Sequence, residues 1–501
     1  MEGSEKKEQG KRKVTEIKTY TVPFSLGENQ GNLTINTNQP SKSSKEQVIN
    51  QALKCHSQGK IQEAAKLYQY CINQGFNDYT VFANYGVILQ NFGKSQEAEL
   101  VTRKAIEIKP DLAATHLNLG LILKKIDKLK EAELSQRKAI ELNPNYAEAH
   151  YNLGTILIDC GKLKEAELSL GKAIELNPDY YDAYFNLSWL QLLRGEYQAG
   201  LENYEFRFKT KNPVIPHSKT KLKRVDNKKL KGQEKLLIIS EQGLGDTLQY
   251  MRYIPYLRSL GIDVSFCAQT KLHSLIQSSR IDCHPLTSEE ASKISEGYWI
   301  PLLSLSRYLQ INPRNPIVSE PYINSRDGLV KKWEKILSKE KKPIIGINWQ
   351  GNPDVENENQ KGRSLPLEIF SNLDRDDNFK FLSLQKGFGS EQLDYCSFKN
   401  KFVECQSQIN STWDFLENAA IIQNCDLIIT SDTSIAHLAG GMGKSTWTLL
   451  KHLAEWRWGT ERESTFWYPS MRLFRQKELH NWNEVMRRVS GAVKKEMKLK
   501  I

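Results

Sequence analysis

A 34-residue period governs the first half of the chain. Pro110, Pro144 and Pro178 stand 34 residues apart, and Gly59, Gly93, Gly161 and Gly195 fall on a second lattice of the same period, with Asp127 at the step where glycine is missing. Glu63-Ala64, Glu97-Ala98, Glu131-Ala132 and Glu165-Ala166 keep that register. Such a period accommodates two short helices, a Gly turn between them and a Pro-containing break. Each helix pair then exposes an apolar face that only a neighbouring pair can cover. The lattice predicts an α-helical solenoid of five units over residues 45–213.

Asn50, Asn84, Asn118, Asn152 and Asn186 also recur every 34 residues, in the middle of the first helix of each unit. Asn is a poor helix former there, so its repeated use needs a reason. One reason is local: the amide bonds a neighbouring helix or turn. The other is a ladder of amides from Asn84, Asn118, Asn152 and Asn186 that holds the backbone of an extended peptide whatever its sequence. The helix-pair lattice resembles the tetratricopeptide repeat. The Asn ladder resembles that of protein O-GlcNAc transferases, in which a catalytic domain follows such repeats. That resemblance implies a protein or peptide partner on the repeats.

The chain of 501 residues has enough apolar material, 39 %, for several cores and excludes both wholesale disorder and a disulfide-stapled mini-protein. Residues 1–44 are polar and poor in large aliphatics, which predicts a disordered tail. No run of about 20 apolar residues is available to span a bilayer and the N-terminus lacks a signal-peptide core, so the expected location is cytoplasmic. Eight scattered Cys form no C-x-x-C pair, and neither zinc nor disulfides are expected. The net charge of +11 is concentrated in residues 209–235, with a surplus of +8, and from 484 onward, with a surplus of +4. The rest of the chain is near neutral, so no nucleic-acid-binding face is expected. Residues 214–234 carry much of that surplus without periodicity and are expected to be a basic linker.

From residue 235 short apolar runs alternate with helical stretches: LLIIS at 236–240, VSFCA from 264, YWIPL from 298, PIIGINW from 343, FKFLSL from 379, DLIITSD from 426 and STWTLL from 445. That alternation predicts an α/β domain of two Rossmann-like halves, 235–325 and 326–501, with a cleft between them.

Three places offer chemistry. After the first strand, Gly243 and Gly245 occupy the strand-to-helix turn and Asp246 stands at the helix start, where it is a helix cap or a functional carboxylate. The third Gly of a dinucleotide fingerprint is replaced by Leu248, so no nicotinamide cofactor is indicated. After the strand ending at Ser431, Asp432, Thr433 and Ser434 open a helix with hydroxyls and backbone N–H groups facing any anion, and His437 shares their face. An ordinary cap and an interior His remain the alternative. The segment GMGKST fails as a phosphate loop, because Leu438 stands where Gly is required. The polar loop after the fourth strand ends in Lys361 and Arg363, of which Arg363 has the donor geometry for a diphosphate. Asp374-Arg375-Asp376 precedes a strand and is read as a solvated loop, and the aromatic run at 456–468 as core packing.

Taken in order, GLGD at 243–246, RSLP at 363–366 and SDTSIAHLAG at 431–440 resemble glycosyltransferase family 9, the heptosyltransferase-like proteins. The resemblance implies a GT-B fold, inversion at the anomeric carbon, no metal or other cofactor, and a nucleotide-sugar donor on the C-terminal half. It implies Asp246 as the general base, Arg363, Thr433, Ser434 and His437 on the donor diphosphate, and Asp432 on the donor sugar or nucleoside. A carboxylate at a helix start is a weak base unless cleft closure dries it. The leading expectation is a glycosyltransferase whose repeats recruit a protein acceptor. The alternatives are transfer to lipid or polysaccharide, and a non-catalytic scaffold with an inactive α/β domain.

Overall fold

The computed structural model describes residues 42–358, 362–373 and 378–498. The expected tail over 1–44 therefore lies outside the described residues apart from 42–44, which already belong to the first helix. Lys361 and the Asp374-Arg375-Asp376 loop lie outside them too. The chain divides into two compact units, Met1–Asn177 and Pro178–Ile501. No helix among the described residues is long and apolar enough to cross a membrane.

Among its described residues the first unit has four helix pairs: Lys42–Ser57 with Ile61–Asn73, Tyr79–Asn91 with Ser95–Ile108, Ala113–Lys125 with Leu129–Leu142, and Ala147–Asp159 with Leu163–Leu176. The turn within each pair is left-handed at the lattice position: φ is +74° at Gly59, +78° at Gly93 and +73° at Gly161, and Asp127 adopts +66° in the remaining turn. Asp enters this region at less cost than most side chains, which explains the substitution. Ala64, Ala98, Ala132 and Ala166 are fully buried where the helices cross. Gly86, Gly120 and Gly154 set the closeness of the crossing, since a Cβ there would run into Thr102, Gln136 or Leu170.

Successive pairs are tied by a repeating ion ladder. Glu99 accepts from Arg103, at 2.9 Å, and from Lys128, at 2.8 Å. One repeat later Glu133 accepts from Arg137 and from Lys162, both at 2.9 Å. Burial pushes both carboxyls up, but the hydrogen bonds from these cations more than reverse it and hold them below the usual 4.5. A carboxyl depressed on folding contributes stability above its unfolded pKa and loses it as pH falls through its folded one. A Glu99→Gln/Glu133→Gln variant should therefore melt below the parent at neutral pH, and the gap should close as pH falls below 4.5. A gap that persists in acid, followed by circular dichroism, would show that the ladder does not act through these charges.

The second unit opens with the fifth helix pair, Tyr181–Leu193 and Tyr197–Tyr204, which runs into a 3-10 turn at Glu205–Phe208. Two parallel sheets follow. The first comprises β1 (Lys223–Arg224), β2 (Lys235–Ile239), β3 (Asp263–Cys267) and β4 (Tyr298–Pro301), in the order β1-β4-β2-β3. The second comprises β5 (Ile344–Asn348), β6 (Lys380–Ser383), β7 (Leu427–Ser431), β8 (Thr446–Leu450) and β9 (Met471–Arg475), in the order β6-β5-β7-β8-β9. Strands β5, β7 and β8 are buried at every position, as a sheet covered on both faces requires. Ile345, Ile347, Phe381, Ile429, Trp447 and Phe474 fill one side of that sheet together with Val485, Met486, Val489 and Val493 of the helix Trp482–Lys498.

All seven apolar runs became strands, in an α/β arrangement of parallel sheets. Residues 214–234 are not a free linker. β1 pairs with β4 through Lys223–Tyr298 and Arg224–Trp299, and Val225 is buried and donates its N–H to the Trp299 carbonyl at 2.8 Å. A two-residue strand at a sheet edge shows no alternation in sequence, and basic side chains are what such an edge tolerates.

Candidate functional site

The helix Leu244–Tyr250 follows β2 and the helix Ser434–Gly441 follows β7, so each starts at the carboxyl end of its parallel sheet. Gly245 lets the two starts meet: a Cβ there would lie 2.9 Å from Cδ2 of His437 and 3.4 Å from Cα of Ser434. His437 cannot yield, because its Nδ1 lies 2.9 Å from the Tyr468 hydroxyl and its ring stacks on Trp458. Gly245→Ala should accordingly destabilise the chain by about 1–3 kcal/mol in urea unfolding, the usual cost of overpacking a tight contact. Unchanged stability would mean that the two helices are not in contact.

Asp246 sits in the first turn of its helix. Its Oδ2 accepts from the Gly243 N–H at 3.0 Å and its Oδ1 accepts from Nη2 of Arg457 at 2.9 Å. The cap reading thus describes its geometry, and an ion pair is added to it. Arg457 also donates to Glu455 at 2.9 Å and to Oε1 of Gln249 at 2.6 Å. Burial alone would pull its guanidinium down, but Glu455 and Asp246 hold it well above its ordinary value. Burial pushes the Glu455 and Asp432 carboxyls up, in each case against the pull of Arg457. One buried guanidinium therefore organises three acids drawn from both halves of the unit.

On the other side, Thr433 caps the helix Ser434–Gly441 in extended conformation without a side-chain bond to it, because its hydroxyl donates to Oδ1 of Asn348 at 2.8 Å. The Ala436 N–H donates to the Thr433 carbonyl at 3.0 Å, which leaves the Ser434 and Ile435 amides at the tip of the turn for an anion or water. Arg363 reaches this turn: its Nη1 donates to the Asp432 carbonyl at 3.3 Å, and its guanidinium lies so close over Gly351 that a side chain there would strike it. Nη2 of Arg475 donates to the carbonyls of Trp458, at 3.1 Å, and Gly459, at 2.7 Å. Burial lowers the Arg475 guanidinium to about 10 while Asp432 works against that.

Asp246, Asp432, Thr433, Ser434 and Arg363 therefore gather at one place. His437 is there too, but inside. It is buried, its Nδ1 lies against the Tyr468 hydroxyl and its ring stacks on Trp458, and burial with the charges of Arg457 and Arg252 pushes its pKa well below the ordinary value. The repeat asparagines differ from an open ladder. Asn84, Asn118 and Asn152 of the first unit are each less than a tenth exposed, and Asn186 lies in the second unit. Asn84 bonds the Tyr68 hydroxyl, as the local reading expects. The Nδ2 of Asn152 is buried without a partner among the described residues.

Residues missed from the sequence complete the site. Asn348 and Gln385 knit the ends of β5 and β6, with Nδ2 of Asn348 donating to Oε1 of Gln385 at 2.9 Å. Arg457 was legible in one respect: a cation between Trp456 and Trp458 in an apolar aromatic run needs a buried counter-charge. Beside it opens a cavity of about 380 Å³, lined by Arg194 and Tyr197 of the fifth helix pair and by Gly459, Arg462 and Phe466.

Models of the tetratricopeptide repeat match residues 79–112, 113–146 and 147–180, and a further one matches 170–202. Residues 79–202 are therefore tetratricopeptide repeats. The chain is similar to protein FlbA of Caulobacter vibrioides, 24 % identical over 323 residues, which is 60 % of this chain and 53 % of FlbA. It thus spans about half the length of the curated relative it matches. Among solved structures it is similar to MamA of Desulfovibrio magneticus, with 22 % identity and a TM-score of 0.31 over 32 % of this chain and 91 % of that one. It is also similar to YrrB, described as a repeat protein with an unusual peptide-binding site, with 24 % identity and a TM-score of 0.29 over 32 % of this chain and 82 % of that one.

Proposed function

We propose that this repeat-bearing chain is a glycosyltransferase of GT-B type, inverting and metal-independent, whose repeats recruit a protein acceptor. The observation that supports it is the meeting at Gly245 of two strand-to-helix turns, one carrying Asp246 and the other a helix start without a side-chain cap beside Arg363. The acceptor hydroxyl oxygen forms a bond to the anomeric carbon, and its proton passes to Asp246. The bond from that carbon to the nucleoside diphosphate breaks, with the electron pair leaving on the diphosphate oxygen. The growing charge is met by the Ser434 and Ile435 amides, by the Ser434 hydroxyl and by Arg363, and by the Thr433 hydroxyl once it gives up its bond to Asn348. Both Asp246 oxygens already accept a bond, so the acceptor hydroxyl takes a remaining lone pair as the cleft dries. Repeats of this kind serve as protein-interaction surfaces, which supports a protein as acceptor or partner.

The test is nucleotide release across a panel of nucleotide-sugar donors, with and without protein acceptors. Absence of both turnover and nucleotide binding with every donor would leave the scaffold reading. For the repeats, Asn118→Ala/Asn152→Ala should weaken transfer to protein acceptors and leave donor hydrolysis intact. Equal effects on both activities, or none on either, would remove the amides from acceptor recognition.

A further inference from the structure

The turn that carries Asp246 is built in part from outside its own sheet. Glu241 stands just after β2 and is fully buried, and its Oε1 accepts from the Leu303 N–H at 3.1 Å and from Nη2 of Arg207 at 2.8 Å. Arg207 belongs to the turn Glu205–Phe208 that closes the fifth helix pair. It is fully buried, donates also to Ser304 at 2.7 Å and to Glu205 at 3.0 Å, and lies between the rings of Tyr204 and Phe208. The next residue of the Asp246 turn, Gln242, is held in the left-handed region at φ +60°, and its Nε2 donates to the Tyr204 hydroxyl at 3.0 Å. Gly243 then offers its N–H to Asp246.

A left-handed Gln and a buried carboxylate are both unfavourable by themselves. Both are met by side chains from the end of the repeats. We infer that Arg207 and Tyr204 are positioning residues for Asp246: the fifth helix pair sets the place of the acceptor-side carboxylate and is part of that site, not only of the recruiting array. Glu241, which has a second oxygen buried without a partner among the described residues, transmits the register of Arg207 to the turn. The inference takes the role of Asp246 from the function proposed above.

Replacing a buried ion pair by apolar side chains often leaves the fold standing, so a pair that sets a turn shows itself in the geometry of that turn. The variants are Arg207→Met/Glu241→Leu and, as the milder change, Tyr204→Phe, both in the full chain. The expected result is a double variant that still folds, melting below the parent because Glu205 and the Leu303 N–H each lose a partner, and whose amides at 243–248 exchange hydrogen about tenfold faster. Donor hydrolysis should fall in kcat by about tenfold or more, with the donor KM unmoved, since a displacement of about 1 Å is enough. Tyr204→Phe should show the same local exchange to a smaller degree, which decides the matter should the double variant not fold. Parent-like exchange at 243–248 in Tyr204→Phe, or in a folded double variant, overturns the inference. Exchange is read without turnover, so a chain that hydrolyses no donor at all defeats the proposed reaction while leaving this arm decisive.

Discussion

An Arg457→Met variant should unfold about 3–5 kcal/mol more easily than the parent, the cost of leaving buried charges without their partner. Asp246, Glu455 and Gln249 all lose a donor at 2.6–2.9 Å, and Asp432 loses the cation that opposes the upward push of burial on its carboxyl. The sign of the pH dependence follows. Without Arg457 the Glu455 and Asp432 carboxyls are driven further toward their neutral forms, and groups whose pKa is raised on folding favour the folded state as pH falls. The deficit measured by urea unfolding should therefore be largest at neutral pH and shrink toward pH 5. A deficit that grows in acid would show that Arg457 is not the counter-charge of this cluster.

Asp246→Asn should lower glycosyl transfer by about 10²- to 10⁴-fold, the usual range for a lost general base. The amide oxygen can still accept from the Gly243 N–H, so the cap survives while the proton acceptor is lost. The donor KM should stay within about twofold, since the proposed reaction assigns the diphosphate to the other helix and to Arg363. Steady-state kinetics with one donor decide this. Turnover equal to the parent would move the base elsewhere in the cleft, and a raised KM with unchanged kcat would make Asp246 a donor-binding residue.

Local features were legible where the determinant is itself local. The 34-residue lattice fixed the turns so closely that Asp127 appears in the left-handed conformation its glycine counterparts adopt. The apolar runs became strands because a sheet buried on both faces leaves continuous hydrophobic segments in the chain. β9 escaped notice, since Arg472 and Arg475 interrupt its apolar side chains and aromatic neighbours blur its start. The meeting of Asp246 with Arg457 was invisible, because it joins residues 211 positions apart and no local period carries that information. For the same reason Arg207 read as the end of a repeat, although its carboxylate partner Glu241 stands 34 residues on, beyond β2. His437 was placed on the correct helix, but helical spacing gives only the side of a helix, and what covers that side is decided by Gly245, Trp458 and Tyr468.

The carboxylate ladder of the repeats has a consequence for how such a chain can vary between lineages. Glu133 does for Lys162 and Arg137 what Glu99 does for Lys128 and Arg103, so a block of one period removed or duplicated in frame rejoins chemically identical neighbours. Solenoid length can then drift by whole units through unequal recombination, without any new contact having to evolve at the seam.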